Sequence, residues 1–328
     1  MAQLTPPKIL VVGSLVMDLI VSTPRFPAKG ETVIGSGFQT ASGGKGANQA
    51  IQAARLGASV TMVGKIGEDD FGVRMRDSLS DSGVDNTHLM VQGGVPSGVG
   101  NVQLETGGGK ASNRIIVVPG TNMTITPDEV SFLQKTISDY DMVILQLEIP
   151  QEINRIVAGY AAENGIPVML NSAPYAPLPP SLLEKLSYIS PNEHEAEHMT
   201  GIPVKDEESA RRAAGRLRAM GVQNALITMG SRGAALGTEA RFFYSPCIPG
   251  VEVKDPTAAG DSFVGAFCTA LCWGLPYEKA LRFSNYTASL TVSRMGAQPS
   301  LPTLQEVLAF MRSRGESAEE WGLPPWDN

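Results

Sequence analysis

Short apolar runs rich in β-branched residues recur along the chain: "KILVVGS", "VTMVGKIG", "DMVILQLE", "IPVMLNSA", "YISPN" and "NALITMGS". Between them, as in "GANQAIQAARLGA" and "EESARRAAGRLRAMGV", apolar positions return with a helical period. The runs predict strands buried on both faces, and the intervening stretches predict amphipathic helices packed over them. This alternation specifies an α/β fold, a doubly wound and mainly parallel sheet with helices on both faces.

Two segments depart from that rhythm. Residues 18–42 and about 95–118 show apolar and polar positions in alternation, broken by Pro and Gly, with no helical period. They predict strands outside the main sheet, gathered into a small β-sheet lid, because an inserted hairpin pair cannot bury a face alone and must cover something. The organisation expected is one α/β domain over residues 1–312 carrying this lid, then a tail over 313–328. The tail is polar, Pro-bearing and holds two Trp, so it is either disordered or docked by its indole rings.

Composition narrows the function classes. The 328 residues carry a net charge of −7, which disfavours a nucleic-acid or anionic-membrane surface and requires any phosphate to be held locally. No apolar run approaches the ~18 residues of a membrane span, and "MAQLTPPKILVVG" lacks the order of a secretory signal, so a cytoplasmic protein is expected. Cys247, Cys268 and Cys272 are an odd number in a large chain, which argues against a disulfide framework; the apolar neighbours of Cys268 and Cys272 place them in a helix core.

Two strand-to-helix joints carry candidate chemistry. In "VEVKDPTAAGDSFVGAFCTALCWG", a strand gives way to small residues and then a helix beginning at Gly260 or Asp261. Ala258, Ala259 and Gly260 would leave backbone N–H groups exposed at a helix N-terminus, where unpaired donors and the helix dipole attract an anion such as phosphate. Asp261 could be a simple helix cap, but a cap does not call for three small residues before it. The second joint is "ASGGKGANQAIQAARLG". It is not a Walker A loop, because Lys45 is followed by Gly46 and not by Ser or Thr. Its glycines are expected to let a small polar ligand approach the backbone, with Asn48 donating and accepting hydrogen bonds.

A third stretch, "SPNEHEAEHMTG", contains the letters of the H-E-x-x-H zinc peptidase signature at His194, Glu195 and His198. A peptidase of that kind needs a third protein ligand. The remaining histidine, His88, lies far upstream, and Glu207 and Glu208 fall in a helix start without a supporting motif.

Taken in order, five motifs resemble those of the ribokinase, or PfkB-like, family of sugar and nucleoside kinases over about residues 8–312. They are "GGKGAN" (43–48), "PNEHEAEHMTG" (191–201), "TMGSRG" (228–233), "DPTAAGDSF" (255–263) and "GAQPSLP" (296–302). The resemblance implies an ATP-dependent kinase acting on the 5-hydroxyl of a pentose, ribose first. Asp261 would be the general base and the N–H groups around Ala258, Ala259, Gly260 and Asp261 the anion hole. The sugar would be held by Asp18, Gly44, Lys45, Asn48 and Glu148, with Val16, Met17, Gly46 and Ala47 in the same segments. ATP would be held by Asn192, Thr228, Met229, Gly230, Ser231, Arg232, Gly233, Gly260 and Asn285. The His positions of "HEAEH" are variable in the family pattern, in which Asn192 and Glu195 sit near the phosphates and magnesium. K+ would be held by Asp255, Thr257, Thr291, Arg294, Gly296 and Ser300, several of them through backbone carbonyls. A homodimer through the edges of the lid is also expected.

The chain departs from this pattern at three places. The sugar motif G-S-x-N-x-D reads "GSLVMD", with Val16 where an Asn would bond a hydroxyl, which makes 2-deoxyribose a second candidate substrate. Pro256 stands where the family often has Thr, removing a donor before the anion hole. Asn285 replaces a His found near the adenine in some members, a change from which little follows.

Overall fold

In the computed structural model of the protein, residues 5–106, 112–317 and 321 are described. Nine strands form the main sheet in the order β13-β12-β11-β10-β9-β8-β1-β4-β5. These are β1 (Lys8–Val12), β4 (Ser59–Gly67), β5 (Asp85–Gln92), β8 (Met142–Gln146), β9 (Val168–Asn171), β10 (Tyr188–Ser190), β11 (Asn224–Thr228), β12 (Ala234–Gly237) and β13 (Phe242–Ser245). Every pairing from β5 to β11 is parallel, and only β11–β12 and β12–β13 are antiparallel. The six apolar runs of the sequence became β1, β4, β8, β9, β10 and β11. β5, β12 and β13 carry no such run: β5 and β13 are edge strands with exposed positions, and β12, though buried, is only four residues of Ala, Leu and Gly.

The longer helices are α1 (Lys45–Arg55), α2 (Asp70–Asp81), α3 (Gln151–Glu163), α4 (Glu193–Thr200), α5 (Glu207–Ala219), α6 (Ala259–Cys272), α7 (Tyr277–Val292) and α8 (Leu304–Ser313). Successive strand residues feed opposite faces of the sheet. Ile9, Val11, Met62, Ile144 and Leu226 join α1, α6, α7 and α8 in one core, while Leu10, Val12, Val63, Val143 and Leu145 join α3 and α5 in the other. All three cysteines are free; Cys268 is buried in the first core, and burial pushes the Cys272 thiol up to about 12.

The lid is a separate four-stranded sheet, β3-β2-β6-β7, made of β2 (Val16–Thr23), β3 (Gly37–Gly43), β6 (Gly98–Glu105) and β7 (Ser112–Val118). Its strands come from the two segments that lack a helical period, and β2 already begins at Val16. In the tail, Trp321 is buried and its indole donates to Glu316 Oε2 at 3.1 Å. Trp326 lies outside the described residues.

Candidate active site

The order of the sheet changes direction between β1 and β8: the chain leaving β1 proceeds to β4 on one side, while β8 proceeds to β9 on the other. In open α/β sheets, the carboxyl ends of strands at such a point leave a crevice. Here the crevice is bridged. Ser14, just beyond β1, donates its hydroxyl to Glu148 Oε2 at 2.5 Å, and Glu148, just beyond β8, accepts the Lys45 backbone N–H at 3.0 Å on the same oxygen. Glu148 thus sits at the N-terminus of α1, where a negative charge is favoured.

Asp18 reaches the crevice from the lid. Its carboxylate fits between neighbouring strands because both offer glycine: a Cβ at Gly43 would lie 2.8 Å from Asp18 Oδ2, and one at Gly100 would lie 2.3 Å from Oδ1. Burial, then the charges of Glu148 and Asp261, push the Asp18 carboxyl up to about 6. Lys45 is the compensating cation. Burial pulls its ammonium down, but Asp261, Glu148 and Glu195 outweigh burial and hold it above its ordinary value. Met17 and Ala47 are buried within the first core, and Val16 is buried on β2 two residues from Asp18.

The glycines of the first joint also make room for a neighbouring stretch of backbone. Gly44, at φ 93°, caps α1, and a Cβ there would lie 2.7 Å from Val16 N; a Cβ at Gly46 would lie 2.5 Å from Ser14 N and 2.7 Å from Gly13 C. These glycines let the chain at 13–16 press onto the start of α1.

The second joint is open. Ala258 adopts a left-handed conformation, φ 60°, and caps α6. Nothing lies within 4 Å of where a Cβ at Gly260 would stand. The first-turn N–H groups of Gly260 and Asp261 have no backbone acceptor among the described residues. The Ala259 N–H, expected in the anion hole, instead donates to Pro256 O at 3.2 Å, because the Pro-Thr-Ala turn folds back on itself. Asp261 is buried, and its carboxylate is held on both oxygens: Asn48 Nδ2 donates to Oδ2 at 2.9 Å and Gln49 Nε2 to Oδ1 at 3.0 Å. Among the described residues Asn48 Oδ1 is buried without a partner, so it is an acceptor that a ligand hydroxyl could fill.

Beyond β10 and β11, the chain brings Asn192 beside Thr228 through a parallel bridge. Asn192 caps α4: its Oδ1 accepts from His194 N and Glu195 N, both at 2.9 Å, while Glu195 Oε2 accepts from Asn192 N at 2.9 Å. This reciprocal cap turns Glu195 inward, where burial raises its carboxyl above the ordinary value, and leaves His194 and His198 exposed. His198 stacks on Tyr175 with ring centroids 5.2 Å apart. No group of three or more His, Cys, Asp or Glu among the described residues is arranged to hold a metal ion. The turn 230–232 follows Met229, which is buried; Ser231 lies on that turn, and Gly233 ends it. Arg232 pairs with Glu193 at 3.2 Å. The Asn285 amide nitrogen donates to Ser245 O, Ser245 Oγ and Pro246 O at 2.9–3.1 Å, so it secures the end of β13.

The six positions named for K+ converge in part. Asp255 accepts from Thr257 N on Oδ1 and from Gly296 N on Oδ2, both at 2.9 Å, tying the loop before α6 to the loop after α7. The hydroxyls of Thr291 and Ser300 donate to Ser262 Oγ and Ala297 O, both at 2.7 Å, and Arg294 pairs with Glu306 at 2.7 Å. Among these six positions, the oxygens that could face a cation would be main-chain carbonyls, the Thr257 hydroxyl and the Asp255 carboxylate, a set suited to a hard ion.

Ser14, Gln49 and Gln146 were not singled out from the sequence, although Gln49 directly follows Asn48. Comparison with known proteins agrees with the geometry. The family model for pfkB family carbohydrate kinases matches residues 6–304. A ribokinase of Haemophilus influenzae is 38% identical over 303 residues, covering 92% of this chain and 97% of the relative. A deoxyribokinase of Salmonella typhi is 32% identical over 304 residues, covering 92% and 98%. Among solved structures, Arabidopsis thaliana ribokinase complexed with ribose and ATP aligns with a TM-score of 0.86 at 35% identity, over 94% of this chain and 99% of that one.

Proposed function

From the premise that the chain belongs to the pfkB family of carbohydrate kinases, we propose that it transfers the γ-phosphoryl group of ATP to the 5-hydroxyl of D-ribose. One observation carries the reading. The buried Asp261 carboxylate is fixed on both oxygens within the first turn of α6, where, among the described residues, the Gly260 and Asp261 N–H groups have no partner and the space above Gly260 is open.

In this reading the pentose lies between the lid and the sheet. Asp18, Asn48 and Glu148 bond its hydroxyls, and Lys45 balances the surrounding carboxylates. As the 5-oxygen attacks phosphorus, its proton passes to Asp261, the new O–P bond forms, and the bond from the γ-phosphorus to the bridging oxygen breaks to release ADP. The Gly260 and Asp261 N–H groups and the dipole of α6 stabilise charge on the transferring group. The segments at Asn192, Thr228–Gly233 and Ser245–Pro246 border the nucleotide. Magnesium would enter with the phosphates, near Asn192 and Glu195, whose capping bonds favour contact through water. Potassium would sit among the Asp255 carboxylate and the carbonyls of Thr257, Thr291, Arg294, Gly296 and Ser300, steadying the loop that ends in the anion hole.

The lid supports a homodimer: Phe38 on one edge strand and Ile115 and Ile116 on the other are 69%, 53% and 64% exposed. No helix among the described residues is long and apolar enough to cross a membrane. That fact and the net charge of −7 support a cytoplasmic enzyme free of nucleic acid.

A second reading, 2-deoxyribose as the preferred acceptor, is favoured by one residue. Val16 is 4% exposed, and Gly100, whose Cβ would touch Val16 Cγ1 at 3.6 Å, adds no polar group beside it. ATP consumption measured across pentoses, deoxypentoses and nucleosides tests both readings. D-ribose should give the highest kcat/KM, and a clear preference for the deoxy sugar would exchange the two. Asp261→Asn should lower kcat by roughly 10²–10⁴-fold while sugar affinity survives.

A further inference from the structure

Behind Asp261 runs a chain of buried amides that the phosphoryl-transfer scheme does not use. Gln49, fully buried on α1, donates from Nε2 to Asp261 Oδ1 at 3.0 Å, with Asn171 Oδ1 3.4 Å away. Its Oε1 accepts from Gln146 Nε2 at 2.8 Å. Gln146 ends β8 and is also fully buried; its Oε1 lies where a Cβ on Gly13 would fall, 1.9 Å distant, so the amide is wedged against the chain leaving β1. The Gln146 backbone carbonyl in turn accepts from Asn154 Nδ2 at 2.8 Å.

A buried amide is costly unless it is bonded, and an apolar side chain could pack between α1 and β8 at less cost. The arrangement makes sense through its terminus. Asn48 and Gln49 hold one Asp261 oxygen each, but they differ in what lies beyond. Asn48 keeps an unpartnered Oδ1 and belongs to the sugar pocket, so an arriving hydroxyl competes for its amide. Gln49 faces away from the pocket into the sheet, and its other end is already fixed. We propose that Gln49, braced by Gln146, is a positioning residue that holds the plane of the Asp261 carboxylate while Asn48 engages the substrate. This rests on the pentose kinase reading.

Three proteins test it: the wild type, Gln49→Leu and Gln49→Glu, each assayed with D-ribose, 2-deoxyribose and ATP. Gln49→Leu keeps the bulk and removes the donor. It should lose kcat on the order of 10²-fold, the scale of a small misplacement of a reacting group, with sugar KM little changed. Gln49→Glu sets a second carboxyl against Asp261, where Asp18, Lys45 and Glu195 are the other charged groups within electrostatic reach. Protonated, that carboxyl donates as the amide does; ionised, it repels. Its activity relative to wild type should therefore rise as pH falls, a dependence that a merely structural amide would not produce. Wild-type kcat in Gln49→Leu, or a lowered melting temperature as the only change in both variants, overturns the proposal. A wild type without turnover on either sugar defeats the functional reading instead. The crystal structure of Gln49→Leu then decides the positioning by itself, an unmoved Asp261 carboxylate counting against it.

Discussion

The chain leads small residues into a helix twice, at Gly43–Gly46 where α1 begins and at Ala258–Gly260 where α6 begins, and the two joints are used in opposite ways. At the first, the glycines are pressed on by the backbone of residues 13–16, and the Glu148 carboxylate already occupies the helix N-terminus. At the second, the turn stands open and the Gly260 and Asp261 N–H groups find no backbone acceptor among the described residues. A helix N-terminus is an anion site only where the protein has not supplied the anion itself. Small residues before a helix mean close packing in one case and access in the other, and only the partner across space separates the two.

The contrast can be broken at either joint. The largest effect is expected from Gly46→Ala, whose Cβ would meet backbone atoms of Gly13 and Ser14 that cannot rotate aside. We expect a loss of stability on the order of 4 kcal/mol, read as a much lower urea midpoint or insoluble expression. A soluble protein of near-native midpoint would show that this joint is looser than its contacts suggest. Gly260→Ala puts the same methyl group into open space, so the melting temperature should hold. Turnover should fall about tenfold or more, because the methyl group crowds the γ-phosphoryl. Equal stability losses in the two variants would erase the distinction.

The carboxylate cluster beside the closed joint supplies a smaller effect. The Asp18 carboxyl, pushed up to about 6 from 3.8, is harder to ionise folded than unfolded. Its ionisation therefore destabilises the protein above that value, and the penalty fades as pH falls from about 6 towards 4. Asp18→Asn should stabilise the sugar-free protein at pH 7.5 by on the order of 2 kcal/mol, with no gain near pH 4, while sugar binding is lost. A gain independent of pH would point to packing. The smallest effect belongs to the open joint. Ala258→Gly removes the left-handed strain at φ 60° and should raise stability by less than about 1 kcal/mol, visible as a small rise in melting temperature.

What could be read from the sequence follows how local each signal is. The strands buried on both faces announce themselves as apolar runs, and Asp261 and Asn48 stand in compact motifs. Ser14 and Glu148 are 134 positions apart, and Gln49 and Gln146 are 97 apart, so their bonds exist only once the fold has placed β1 and α1 beside β8. The direction of an N–H is hidden for a similar reason. That Ala259 turns to Pro256 and that Asn285 turns to Ser245 depend on backbone angles within the turn and on a neighbouring strand. The polar edge strand β5 and the four-residue strands β12 and β13 are too mixed or too short to carry a period.

The root of β2 has one more consequence. Leu15 is gripped at both its N–H and its carbonyl by the Asn122 amide, at 2.9 and 2.7 Å, and Ser14 is tied to Glu148. Asp18 stands only three residues further on, so it rides close to the fulcrum of the lid, while Ile34 and Phe38 ride far out on the arm. Any swing of that lever would sweep its apolar rim through a wide arc and leave the Asp18 carboxylate almost where it was.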